Sequence, residues 1–202
     1  VGAASTGPGR VAQVVQTFPS PAQYSMGLAW DGTFLWVCGG VSDGVIYRLD
    51  PRDGSILGNY DIPVHKLRGL TMGGGYLWTS SWDTEEIYKL TVAPVLIVDS
   101  FPAPFPGKPH GLTWDNGSLW IGEEGKDDEA GRIHRVDPAT GVIERTISPP
   151  GGCCNNPRGI AWDGKALWVG YQATSGRIFR IDPATGVRFE SFEAPSGHYQ
   201  QG

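Results

Sequence analysis

Basic residues are scarce in this chain of 202: 16 Lys and Arg stand against 21 Asp and Glu, for a net charge of −5. A nucleic-acid binder normally presents a basic face, so no nucleic-acid partner is expected. Long apolar runs are missing as well. Stretches such as Pro94 to Val98 are far too short to cross a bilayer, and no membrane span is expected. No charged segment followed by an apolar one opens the chain. Nucleophile motifs, phosphate loops and cofactor boxes are all absent from it. What the chain has in excess is equally restrictive: 30 Gly and 16 Pro, a density that breaks helices. With 40% apolar residues and eight Trp, disorder is excluded too. The composition specifies one compact all-β domain.

A repeat organises it. Gly27-Leu-Ala-Trp-Asp-Gly-Thr-Phe-Leu-Trp36 returns at Gly69 to Trp78, Gly111 to Trp120 and Gly159 to Trp168. The closing Trp steps by 42, 42 and 48 residues, and seven of the eight Trp fall on repeat positions. Each unit reads as four short strands, a to d. Strand c alternates apolar and polar residues, as in Arg132-Ile-His-Arg-Val136. The turn Asp137-Pro-Ala-Thr-Gly141, repeated at Asp182 to Gly186, leads into strand d, with Pro presetting φ and Gly supplying a positive one. Four antiparallel strands per ~40–45 residues is the pattern of a β-propeller blade. Blades are expected at about 25–63, 67–103, 109–149 and 157–195, after a flexible segment 1–9 and before a tail 196–202. The inner-strand apolar residues, Leu28, Trp30, Leu70, Leu112, Trp114, Ile160 and Trp162 among them, are expected in the core.

Pro109 to Glu123, followed by Gly131 to Gly141, resembles a blade of the NHL-like, YVTN-like and streptogramin-lyase-like propellers, the lyase type above all. The resemblance covers roughly residues 10 to 195. It implies a propeller in which a His such as His110 acts as base, while a Glu such as Glu123 or Glu124 and a divalent ion hold the substrate. Two positions depart from that pattern. Lys108 stands where the family has an acidic residue, and Arg68 and Arg158 stand where it has a second channel His.

One strand is left over. Arg10 to Pro19 matches strand d, so it is expected as an extra outer strand, and an unpaired edge invites association. A longer propeller, a four-blade ring with an added edge strand, and a homo-oligomer exchanging this strand all fit.

The a–b and c–d turns are tight and alike, whereas the b–c and d–a loops are long and differ in every unit. Both long loops emerge on one face, where sites usually sit. Met26, Arg68, His110 and Arg158 precede the first Gly of each unit, so they are expected to ring the channel mouth and favour an anion. Trp82, alone outside the repeat, is placed to stack on a ligand or on a neighbouring loop. Glu123-Glu-Gly-Lys-Asp-Asp-Glu129 offers Glu123, Glu124 and Asp127 as oxygen ligands for Ca²⁺ or Mg²⁺.

Three Cys permit either a strained Cys153–Cys154 bridge or a bond from Cys38 to one of that pair. Either would place the protein in an oxidising setting, extracellular or periplasmic. Two functions follow from the sequence. One is a secreted scaffold binding a ligand or protein on its long-loop face. The other is a streptogramin-lyase-like, metal-assisted lyase or hydrolase using His110 with Glu123 or Glu124.

Overall fold

The computed structural model describes residues 10–11, 13–39, 44–126, 129–148, 156–171 and 177–193. Every regular element among them is a strand, and none is a helix able to cross a membrane. A short β1 (Arg10–Val11) precedes four four-stranded antiparallel blades. Blade 1 is β2 (Ser25–Trp30), β3 (Leu35–Gly39), β4 (Val45–Leu49) and β5 (Ile56–Asp61). Blade 2 is β6 (Leu67–Gly73), β7 (Tyr76–Ser81), β8 (Glu86–Leu90) and β9 (Ile97–Pro102). Blade 3 is β10 (Lys108–Asp115), β11 (Ser118–Glu124), β12 (Arg132–Val136) and β13 (Ile143–Ile147). Blade 4 is β14 (Pro157–Trp162), β15 (Leu167–Tyr171), β16 (Arg177–Ile181) and β17 (Arg188–Glu193). The described residues form a β-propeller of four blades.

The repeated Trp-Asp pair has a local cause. The indole Nε1 of Trp36, Trp120 and Trp168 donates to Asp31, Asp115 and Asp163 at 2.7, 3.1 and 2.8 Å. Each of these carboxylates thus ties the a–b turn to strand b. Blade 2 has Gly73 at the Asp position, and there Trp78 donates to the Gly73 carbonyl at 3.1 Å instead. The c–d turns close on Gly54, Gly141 and Gly186, all with φ between 69° and 75°, a region that favours Gly.

Adjacent blades meet through a directional seam. The inner strands carry a bulge beside their first Gly, and in blades 1 to 3 that Gly lies flat against the next blade. A Cβ on Gly69 would sit 2.6 Å from the His110 carbonyl and 2.7 Å from the Leu112 nitrogen. Thr71 and Thr113 accept backbone bonds from Trp114 and Trp162 across the seams at 3.3 and 3.1 Å. Strand alternation sends the intervening Leu and Trp the other way, toward the preceding blade. Three core clusters fill the three seams, joining Trp36 to Leu70 and Leu77, Trp78 to Leu112 and Leu119, and Trp120 to Leu167 and Val169.

Two expectations need correction. The extra outer strand is not formed over its expected length: only β1 pairs, parallel to β17, and residues 13–20 have no regular structure. Gln16 instead bonds the Arg52 carbonyl at 2.6 Å, and Phe18 lies against Gly54, which holds this segment on the β4–β5 turn. Leu28 and Trp30, expected in the core, are 64% and 50% exposed, because no blade precedes blade 1 among the described residues.

Cys38 forms no bridge; its thiol is free and buried. It accepts from the Gly27 amide at 3.2 Å and faces the Arg68 carbonyl at 3.9 Å. Ser80 makes the same link one blade on, from the Gly69 amide to the His110 carbonyl. Burial pushes the Cys38 thiol up to about 12, far from thiolate chemistry at neutral pH. Cys38→Ser is therefore expected to fold normally. In the native protein the Cys38 peptide should resist alkylation until urea unfolds the chain, as peptide mapping would show. Cys153, Cys154 and the segments 1–9 and 196–202 lie outside the described residues.

Candidate functional site

The long-loop face gathers side chains from three blades around one carboxylate. The pairing of Lys108 with Glu124 across β10 and β11 brings the end of β11 beside His110. Glu124 Oε2 then accepts from His110 Nε2 at 3.0 Å and from Trp82 Nε1 at 2.9 Å. Its Oε1 accepts from Arg158 Nη2 at 3.3 Å and lies 3.5 Å from Asn156 Nδ2. Burial tends to raise the Glu124 pKa, but these bonds and the Arg158 charge outweigh it and hold the group below the usual range. An ionised carboxylate only accepts, so His110 carries its proton on Nε2 and keeps Nδ1 as its lone-pair nitrogen.

His110 is 1% exposed. Burial, with help from the Arg158 and Arg68 charges, pushes it down to about 4 against the Glu124 bond. Below pH 6.5 the unfolded chain takes up a proton that the folded chain refuses. This contribution to stability is thus whole above pH 6.5 and is lost as the pH falls toward 4, by about 3 kcal/mol in all. Glu123 and Glu124, held below 4.5, add a further loss on stronger acidification. Urea midpoints should therefore begin to fall between pH 6.5 and 5, and His110→Gln should flatten that part of the curve.

Glu123 points the other way, as alternation along β11 requires. It accepts from His134 Nε2 at 2.8 Å and the Gly107 amide at 2.9 Å, while Phe105 stacks on His134 with ring centroids 4.6 Å apart. Glu123 and Glu124 therefore do not converge on one ion. Asp127 lies outside the described residues, and among those described no three His, Cys, Asp or Glu side chains form a metal-holding group. The His134–Glu123 pair was missed from sequence. Only the β11–β12 register, which sets His134 opposite Ile121 and diagonal to Glu123, reveals it.

Of the four expected mouth residues, Met26, Arg68 and Arg158 line a hollow of about 480 Å³ that is floored by Leu28, Leu70, Leu112 and Ile160 and runs on along the open side of blade 4 at Ala161, Trp168 and Ile178. His110 sits behind this wall, buried. Trp82 stands near Arg68 outside the lining of this hollow, with Lys108, Lys66 and Arg68 lying 4.2, 5.3 and 5.9 Å from the ring. Lys108 also pairs with Glu85 at 2.6 Å. The indole is thus committed to neighbouring loops and cations.

No family model matches the chain, and no curated protein matches it. Among solved structures it is similar to Myxococcus xanthus glutaminyl cyclase, at 18% identity over 93% of this chain and 79% of that one, with a TM-score of 0.76. A nidogen/laminin complex chain is similar at 20% identity, over 89% of this chain and 66% of that one, with a TM-score of 0.56. Kuenenia stuttgartiensis hydrazine synthase is similar at 13% identity, 89% and 52% coverage, and a TM-score of 0.57. The chain thus spans about half to two thirds of the length of the last two. At these identities the likeness establishes the propeller fold alone.

Proposed function

We propose that the protein is a binding scaffold that takes an anionic ligand, or an acidic side chain of a protein partner, into the channel mouth on its long-loop face. The observation that carries this reading is the pair Arg68 and Arg158 on the wall of an apolar-floored hollow. Guanidinium groups recognise carboxylates, sulfates and phosphates through charge-assisted bonds. The apolar floor would hold the rest of the ligand. Calorimetric titration with small aromatic carboxylates and organic phosphates tests it at low salt. Arg158→Ala and Arg68→Ala should each weaken binding about tenfold or more. Binding untouched by both changes would overturn the reading. An extracellular or periplasmic setting belongs to the same proposal through a Cys153–Cys154 bridge, which alkylation before and after reduction would detect.

One observation favours a second reading, a lyase-like reaction: the expected His110–Glu124 contact is made, at 3.0 Å. A carboxylate orienting a neutral His is a general-base arrangement. The burial of His110 favours the scaffold instead. A chelator-sensitive turnover abolished by His110→Ala would reverse that preference.

A further inference from the structure

We infer that blades 4 and 1 are built to hold one more four-stranded blade of the same repeat between them. The argument starts from the three formed seams. In each, the Gly and the Ala or Thr of one inner strand meet the Leu or Ile of the next. Gly27 packs on the Leu70 nitrogen, Gly69 on that of Leu112, and Gly111 on that of Ile160. Among the described residues the matching surfaces at the two ends are bare, and none of those residues lies within 4 Å of where a Cβ on Gly159 would sit. Ala161 is exposed, although its counterparts Ala29, Thr71 and Thr113 are buried. At the other end Leu28 is 64% exposed, whereas Leu70 and Leu112 are each 2% exposed. Trp168 is half-buried, whereas its counterparts Trp36, Trp78 and Trp120 are buried. Blade 4 therefore offers the Gly-x-Ala half of a seam, and blade 1 offers the Leu-x-Trp half.

Curvature decides what fits between them. All four inner strands line one hollow of about 350 Å³, and β6 touches β14, two blades away. In so tight a ring one further inner strand closes the gap. A second copy of the chain would bring four blades to a place shaped for one. Residues 13–20 do not occupy it, since Gln16 and Phe18 are held at the β4–β5 turn, and β1 pairs with the outer strand β17. The occupant presents Leu-x-Trp to Gly159 and Ala161, and Gly-x-Ala or Gly-x-Thr to Leu28 and Trp30. The mouth hollow opens onto this same gap at Leu28, Gly159, Ala161 and Trp168, so the added blade would complete its wall.

Blade 3 has both required faces, so it serves as the probe. The full chain would be extended past Gly202 by a second copy of residues 103–148. The extended protein should stay monomeric by light scattering, melt at least about 6 °C higher and bind less of a hydrophobic-surface dye. The same extension with G111E and L112D in the added copy should lose the gain. A melting point within about 1 °C of the parent, with unchanged dye binding, would overturn the proposal. A second measurement does not depend on the extension folding. In the parent chain Leu28→Asp and Ala161→Arg should each shift melting by no more than about 2 °C and lower dye binding. A parent that dimerises with falling dye binding, or a fall of about 6 °C or more in either variant, would mean that another occupant already covers these faces.

Discussion

Leu112→Ala is expected to destabilise the protein by about 3 kcal/mol, while Leu28→Ala at the equivalent repeat position costs under about 1 kcal/mol. The two residues share a type, a strand and a register, so intrinsic propensity cancels between them. They differ in what lies opposite. Leu112 fills the seam with Trp78, Ile87 and Leu119, so truncating it leaves a cavity among groups that cannot collapse far. Leu28 faces open space, and removing it exposes little that water does not already reach. Urea unfolding with a constant m-value would measure both. Equal losses would show that the leading face of blade 1 is packed in solution.

Glu124→Gln should move stability and binding in opposite directions. The amide keeps an acceptor for His110 and Trp82 but brings two donors toward Arg158. A stability loss of about 1–2 kcal/mol follows, because His110 is buried and its hydrogen bond weakens. Water compensates Arg158 and Trp82, which are only partly covered. The same change removes the one carboxylate that bonds Arg158 among the described residues. An anion in the mouth then meets less repulsion and should bind about tenfold more tightly at low salt. Denaturation midpoints and calorimetry on one preparation test both halves. Weaker anion binding would mean that Glu124 holds Arg158 in its binding pose instead of competing with the ligand.

The propeller was legible because its causes are local. The Trp spacing, the Asp-Gly turns and the period of strand c each depend on neighbours a few residues away. The His110–Glu124 contact was legible for a related reason, since both residues sit at the same ends of adjacent strands in one hairpin. Leu28 and Trp30 misled because a repeat position tells a side chain which way to face, not whether a neighbour stands there. The carboxylate run misled differently. Residues adjacent on a strand point to opposite faces, so Glu123 went to His134 and Glu124 to the mouth. Reading the run as a strand end instead of a loop would have separated the two. Cys38 read as a disulfide partner because a thiol is conspicuous, yet the equivalent Ser80 performs the same link in blade 2.

The two sides of a blade in this protein are unlike, Gly-x-Ala behind and Leu-x-Trp ahead, and that fixes the symmetry of anything assembled through them. A twofold axis running through a single seam would press Leu28 on Leu28 or Gly159 on Gly159 and form neither kind of seam, so a twofold pair must form two seams at once, Leu28 of each copy on Gly159 of the other. Contacts through these surfaces are heterologous by construction. They can close a ring of two or more copies or propagate head to tail, so the inter-blade chemistry that shapes the monomer excludes only a pair joined through like faces.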